Sequence, residues 1–530
     1  MKKIICVLVA LTFLFTSFTP TSVLAANTKK AKALHADTYS FKVKSEDSGD
    51  YNLLNYYTHE YNDGDSFTHS PLSYFIESDG TFTLVYAEKD YVRLIRLKGS
   101  NLKKKDELKL AKHLKYVVGA TIDEDGNYYV AFDEPQGEYT FGVAKYDHNG
   151  KEVGTYMYKI TDNPDDPYHG SHATLGVTGG NFAMCAKDGE LVCYFGQALN
   201  SYAEGSSWPY QTSGVYAFKT ADMSRIYDYY TFSSISCDQR VIKTSEGKWL
   251  FADLNTGTPG FMLEYSGEKR YEPFHVKNLR GYWTSAGIGN VLELPQGFAL
   301  VGYAPRDTVE GKDSELFIQI IDKYLSYNVS KGEVRMTVNG DNRYGDNGII
   351  WLTKDSEKRI CGCNAALTDD GNIVITYSRQ ISTNNERLVY VTVVTPEGEV
   401  ILKETEIGYK LNANEDIVYY NGCVYWATGD RENNKKPVIT VYKLNVENPE
   451  SFSFSYKYEH KYTGKQVKPK LTVKFKGEKL KEGTDYTLTY QNNTYVSYSN
   501  EYYETFARMI VKGKGKYAGL NRAFRFKINK

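Results

Sequence analysis

Two histidines three residues apart, His169 and His172, follow Asp162, Asp165, Asp166 and Tyr168. Imidazoles beside carboxylates can hold a divalent metal or carry protons. Histidines at that spacing in a loop are a weak metal signature, and the sequence assigns no metal. A second set is Asp238-Gln239-Arg240, followed by Asp253 and Asn255. Acid, amide and guanidinium are the groups that read hydroxyls or a carboxylate. The plainer alternative is an ion pair tying neighbouring structural units, since structural ion pairs are common. A third set is aromatic: Trp208, Tyr210, Tyr282, Trp283 and Trp351 lie in or beside long connections. Exposed aromatic rings stack on sugars or fill peptide pockets. Trp249 and Trp426 sit inside strand patterns and are expected in the core. The ligand-binding candidates are therefore His169, His172, Asp238, Arg240, Asp253, Asn255, Trp208, Tyr210 and Trp283.

Several chemistries lack their signature. The chain has no Ser-x-Asp-x-Gly-x-Thr-Trp box, Gly-x-Ser-x-Gly elbow, His-Glu-x-x-His or phosphate loop. No catalytic residue and no cofactor is assigned. Asp123-Glu-Asp125-Gly126-Asn127 resembles part of a calcium loop, but no glutamate closes it at the required distance, and a hairpin turn explains it better. Cys361-Gly-Cys363 is too short for ordinary zinc spacing. Cys185 and Cys193 flank a Lys187-Asp188-Gly189-Glu190 turn, which fits either a cross-strand bridge or two buried thiols.

The elements that must position these groups are strands. A tight Gly turn recurs seven times, at Gly80, Gly126, Gly189, Gly247, Gly297, Gly371 and Gly422, spaced about 57 residues apart on average. Each turn opens a β-type run such as TFTLVYA, NYYVAF or NIVITY. Gly after Asp or Asn supplies the positive φ that hairpin turns require. A second strand follows each variable loop, and most units add another after a short turn. In unit three Gly179-Gly180 competes with Gly189 for the first turn, so six or eight units also fit. Seven units of up to four strands imply an all-β fold, a seven-bladed β-propeller. Long connections, including 161–171, 197–213, 276–286, 303–314 and 338–360, are expected on one face, with His172, Asp238 and Arg240 near its mouth and Trp208 and Trp283 around its rim. The last unit lacks a fourth strand, and Tyr39–Lys44 is expected to supply it from the far end of the chain.

The start of the chain sets an expected compartment. Lys2-Lys3, an apolar run from Ile4 to Phe15 and small residues ending in Ala25 read as a signal peptide, residues 1–25. That run is about a dozen residues, short of a membrane span. Six of the seven cysteines lie beyond it. Residues 26–445 are expected to form the propeller, 446–450 a linker and 451–530 a separate basic β-domain. Residues 451–530 hold 17 Lys+Arg against 6 Asp+Glu, a net of +11, whereas 26–450 hold 45 against 59, a net of −14. An acidic body thus carries a basic end.

The basic end has its own pattern: Tyr462-Thr463-Gly464-Lys465, Pro469, Gly483-Thr484-Asp485-Tyr486, Asn492-Asn493 and Gly513-Lys514-Gly515-Lys516-Tyr517, then Gly519. It resembles a small Ig-like β-module of surface and secreted proteins of Gram-positive anaerobes. The resemblance implies a spacer or adhesion module. Residues 494–506 depart from it, where a Tyr-rich stretch replaces a short turn.

Together these features point to a secreted or cell-surface binding protein whose propeller face takes a glycan or protein partner. An anionic cell-wall polymer is the expected partner of the basic domain. Nucleic acid and a membrane span are not expected. An extracellular carbohydrate-active enzyme and a purely structural surface protein are the alternatives.

Overall fold

A computed structural model describes residues 28–43, 72–134, 141–158, 177–199, 210–231, 238–255, 260–266, 269–275, 286–305, 314–326, 348–353, 360–380, 387–411, 416–430, 438–499, 504–518 and 520–530. Those residues form an all-β chain whose strands fall, in chain order, into groups of four. Unit one is Ser73–Ile76, Thr81–Ala87, Tyr91–Lys98 and Lys104–Ala111. Unit two is Tyr116–Ile122, Tyr128–Asp133, Phe141–Tyr146 and Glu152–Tyr158. Unit three is Val177–Lys187, Glu190–Leu199, Tyr210–Lys219 and Arg225–Thr231. Unit four is Arg240–Lys243, Trp249–Asn255, Gly260–Tyr265 and Lys269–His275. Unit five is Gly287–Leu294, Gly297–Pro305, Ser314–Asp322 and Ile349–Trp351. Unit six is Ile360–Leu367, Ile373–Gln380, Arg387–Val394 and Val400–Ile407. Unit seven has Val418–Tyr420, Cys423–Asp430 and Val438–Asn445. Its fourth strand is Asp37–Lys42, antiparallel to Val438–Asn445 with Asp37 opposite Lys443. The strand expected at 39–44 therefore does close the last unit, two residues earlier than the sequence pattern placed it.

Local chemistry explains the units. All seven predicted glycines have positive φ, six within first-to-second-strand turns and Gly297 as the residue that opens the second strand just after its turn. At Asp188-Gly189 and Asn421-Gly422 both turn residues have positive φ, the two-residue form whose twist matches the strands it joins. Gly189 is thus the turn of unit three, and Gly179-Gly180 lie within its first strand. Middle strands are buried on both faces: every residue of Tyr128–Asp133 and of Ser314–Asp322 is buried. That is why they read as continuous rather than alternating apolar runs. Fourth strands such as Lys104–Ala111 are mostly exposed.

The core lies between units. Separate apolar clusters join units one and two, two and three, and so on to six and seven. A further cluster joins seven back to one through Val43, Phe82, Tyr425 and Val441. First strands touch in the same order, Val418–Tyr420 of unit seven meeting Ser73–Ile76 of unit one.

The basic end forms two sheets. One is Glu459–Lys461, Asn521–Asn529, Ala507–Gly513 and Tyr486–Gln491. The other contains Ser451–Lys457, Leu471–Phe475 and Glu478–Lys479. Strict alternation of buried and half-buried residues along Asn521–Asn529 marks a sheet with one face in the core. Within the divergent 494–506 stretch, Tyr498–Ser499 pairs with Glu504–Thr505 as a small hairpin.

The division into body and tail differs from the sequence expectation in one respect. Thr28–Leu34, assigned by sequence to the body, runs antiparallel to Ser451–Lys457 over its whole length. Leu34 also pairs with Ile407 of unit six, so one continuous eight-stranded sheet spans both parts. Their contact is buried and chiefly apolar: Phe452, Leu520 and Phe526 share a cluster with Trp426, Tyr442 and Ile407. His35 sits at the seam. It hydrogen-bonds Tyr409 Oη at 2.9 Å and lies edge-on to Phe452, Phe475 and Tyr517. The buried Arg522 pairs with Glu406 of unit six.

The cysteine reading is also resolved. Lys187 pairs with Glu190, so Cys185 faces Val192 and Cys193 faces Met184 across the hairpin. Being one position off register, the two side chains point to opposite faces of the sheet. Both are free thiols, not a bridge, as are Cys361, Cys363 and Cys423.

Candidate functional site

In each antiparallel unit the first strand begins, and the second ends, on the face opposite the Gly turns. Asp238 and Arg240 open the first strand of unit four, Asp253 and Asn255 close its second, and Tyr210 begins the third strand of unit three. All five backbone positions therefore lie toward the face of the second-to-third-strand connections. Tyr210 and Asn255 are placed by their strands alone. His169, His172, Trp208 and Trp283 lie outside the described residues.

The side chains of Asp238, Arg240 and Asp253 form a buried network linking three units. Asp238 Oδ2 accepts the Ile288 N–H of unit five at 2.8 Å. Arg240 Nη2 donates to the carbonyl of the same residue at 2.9 Å, and Nη1 to the Gln239 carbonyl at 2.8 Å. One residue of unit five, Ile288, is thus held at both its N–H and its carbonyl by unit four. Asp253 Oδ2 accepts from Ser213 Oγ at 2.7 Å and Tyr194 Oη at 3.0 Å, both of unit three. Its Oδ1 accepts the Leu254 N–H at 2.7 Å.

Burial sets the electrostatics. Asp253 is 0% exposed and Asp238 2%. Removal from water pushes the Asp253 carboxyl up to about 7, against the lowering effect of its hydroxyl donors. Burial also raises Asp238, and the Arg240 charge opposes this. Geometry and burial match the plainer reading of these residues, polar ties between neighbouring units, rather than open hydroxyl readers.

Arg240 extends further. Its Nε lies 3.7 Å from Asp416 Oδ1, just before the first strand of unit seven, and Asp416 is 67% exposed. Units four and seven are not neighbours in the chain order, so this contact crosses the middle of the arrangement. Tyr74 of unit one donates to the Asp416 carbonyl. A polar floor of Arg240 and Asp416 therefore sits where first strands converge on the long-connection face. Sequence reasoning missed Asp416 and the ties Ala120 N to Ser73 Oγ (3.0 Å) and Asn290 Nδ2 to Ala365 O (2.8 Å). Each is one polar residue at the margin of an apolar strand, too small a signal to stand out.

Other expectations fall out of the same geometry. Trp351, grouped by sequence with the loop aromatics, is buried in the fourth strand of unit five against Phe317. The 338–360 stretch is accordingly not one connection between units: 323–348 joins the third and fourth strands of unit five, on the Gly-turn face. Trp249 and Trp426 are buried. Asp123 accepts from Asn127 N at 2.8 Å and Tyr129 Oη at 2.7 Å, the geometry of a closed hairpin turn. Among the described residues no group of three or more His, Cys, Asp and Glu is arranged to hold a metal ion, and no helix is long and apolar enough to cross a membrane.

No protein-family description matches the chain, and no curated protein matches it. Among solved structures it is similar to the Dos1 propeller at 11% identity, covering 60% of this chain and 66% of that one, just under two thirds of its length, with a TM-score of 0.33. A polysaccharide lyase of family PL25, an ulvan lyase, matches at 10% identity over 77% of this chain and 91% of that one, TM-score 0.41. The β-propeller domain of Cps50 (Swd1) from Myceliophthora thermophila matches at 10% identity over 70% and 95%, TM-score 0.38. At such scores these likenesses bear on neither ligand nor reaction.

Proposed function

We propose that residues 37–445 form a seven-bladed β-propeller, that the basic end is an Ig-like β-module, and that the chain is a secreted or cell-surface binding protein. The long-connection face of the propeller takes a glycan or protein partner, and the basic module takes an anionic wall polymer. The observation that carries this reading is the asymmetry of the two faces. The Gly turns join strand ends on one face, where the third-to-fourth-strand connections are also short except for 323–348 and the exit of the chain at Asn445 toward the basic end. The strand ends that connections such as 159–176, 200–209 and 276–286 join lie on the other face, where Arg240 meets Asp416. Surplus chain over a rigid scaffold is where binding residues concentrate. The carbohydrate-active enzyme is the weaker alternative, because Asp238 and Arg240, its expected mouth residues, are buried and committed to unit five.

The test uses the whole mature chain on a glycan array and in pull-downs from intact cell surfaces. The expected result is saturable binding that falls at least about tenfold when Trp208, Trp283 and His172 are replaced together by Ala, with the unfolding midpoint unchanged. Binding that ignores the triple replacement would overturn the assignment of the face. N-terminal sequencing of the exported protein should begin at Ala26.

A further inference from the structure

On the Gly-turn face, at the seam of units seven and one, a solvent-open cavity of about 420 Å³ lies among Lys98, Lys105, Lys443, Asp79, Tyr420 and Tyr425. That volume suits a small ligand. Its charges are unbalanced. Asp79 is the single carboxylate of the lining, and it is committed: Oδ2 takes the Lys105 ammonium at 2.8 Å and Oδ1 takes the Thr81 N–H at 2.9 Å. Lys443 donates to the Ser100 carbonyl and lies beside the Asp37 carboxylate of the paired strand, whereas Lys98 meets no carboxylate among the described residues. Three ammonium groups thus line the cavity against one lining carboxylate, on a body whose own net charge is −14. Such a concavity draws anions against the mean field of the molecule.

The walls are preformed. Gly80 has φ +78°, and a Cβ there would come within 2.7 Å of Tyr420 Oη, so the ring lies directly on the turn. Gly99 N donates to Gly80 O at 3.1 Å, and Tyr425 Oη donates to Gly99 O at 2.9 Å. These bonds lock the two turns of unit one to each other and to the second strand of unit seven. Tyr420 remains 37% exposed, leaving ring surface for a sugar or polyol.

We propose that this cavity binds a phosphate or sulfate ester of a sugar or polyol, the oxyanion between Lys98 and Lys443 and the carbon skeleton against Tyr420. Ammonium groups act as compact point charges suited to a tetrahedral oxyanion, whereas the planar fork that pairs with carboxylates belongs to arginine, and no arginine lines the cavity. The ester is either a free small molecule or the repeating unit of a surface polymer. The site lies on the face opposite the glycan- or protein-binding face and does not depend on it.

The experiment titrates the whole mature chain with glucose 6-phosphate, glucose 6-sulfate and poly(glycerol phosphate), with glucose and glucuronate as controls. Lys98→Gln is the primary variant, because the Lys98 ammonium holds no part of the protein. The Lys98→Gln/Lys443→Gln pair is the second. Saturable binding of a phosphate or sulfate ester, weakened by salt, about tenfold weaker in Lys98→Gln and lost in the pair, is expected. Binding of the polymer alone with the same Lys98 dependence identifies the polymer as the source. No saturable binding of any ester, equal binding of glucuronate, or affinity unchanged by both variants overturns the proposal. Loss of Trp208, Trp283 and His172 leaves ester binding unchanged, which separates this site from the opposite face.

Discussion

The most informative single perturbation is Asp253→Asn. The side chain is fully buried, accepts from Tyr194, Ser213 and the Leu254 N–H, and has its carboxyl raised to about 7 from 3.8. In the unfolded chain the same group ionises near its ordinary value. Between those values the folded state holds a proton that the unfolded state has lost. Stability from this group is therefore fully present below about pH 4 and falls as pH rises, until both states are ionised above about pH 7. At about 1.4 kcal/mol per pKa unit, some three units amount to about 4 kcal/mol. Asparagine has the same shape and never ionises, and its amide can still meet two hydroxyls and a peptide N–H. The variant should match the wild type near pH 4 and exceed it near pH 8, by up to about that amount. Urea midpoints of both proteins across pH 4–8 measure the difference directly, and buried acids not coupled to Asp253, such as Glu264, cancel in the comparison. Parallel curves for wild type and variant would show that the carboxyl is already ionised in the fold. A variant less stable than wild type at pH 8 would show that the charge is needed by the Tyr194 and Ser213 donors.

Glu406→Gln should destabilise the junction by about 3–5 kcal/mol in urea titrations, because it leaves the buried Arg522 charge unpaired. Replacing both residues by methionine should recover most of that loss. Limited proteolysis of the 446–450 segment should be no faster at 1 M than at about 0.1 M salt, because the junction is closed mainly by apolar packing, which salt does not screen; rapid cleavage at high salt would indicate an electrostatic contact instead. A chain that begins at residue 44 lacks Thr28–Leu34 and Asp37–Lys42, so it should expose two strand edges and elute as aggregate in size-exclusion chromatography. Peptide mapping without reduction should find no Cys185–Cys193 linkage in folded protein, even after mild oxidation.

The candidate site was legible as to face but not as to role. Chain direction alone puts Asp238, Arg240 and Asp253 toward the long connections once the Gly turns are assigned to the other side. Whether a polar side chain there meets solvent or a neighbouring sheet depends on packing between units, which local pattern does not contain. Hence the sequence offers Asp238 and Asp253 as ligand contacts without showing that both are buried and hydrogen-bonded to neighbouring units. Asp416, the exposed partner of Arg240, comes from residues far along the chain and carries no motif. The Lys98–Lys443 cavity is likewise invisible in sequence, since its walls come from the first and last units.

What the sequence determined by itself was local or countable. Positive-φ turns need Gly, Asn or Asp, so Gly80 through Gly422 mark the repeat. Apolar runs buried on both faces name the middle strands. Counting strands showed that the last unit lacked one, and Tyr39–Lys44 alternated suitably to fill it. Tertiary structure alone decided three things. It paired Thr28–Leu34, in which Lys29, Lys30 and Lys32 mask a weak Ala31 and Ala33 face, with a strand more than 400 residues away. It joined an acidic body and a basic end through a mainly apolar seam that encloses one buried ion pair, Arg522–Glu406, rather than through their exposed charges. It also fixed register: a two-residue turn sets Cys185 opposite Val192, and a shift of one residue would have sent that side chain to the other face. The reason is common to all three. Pairing and packing between distant segments depend on which surfaces meet, and a residue's type records only whether its own surface prefers to be buried.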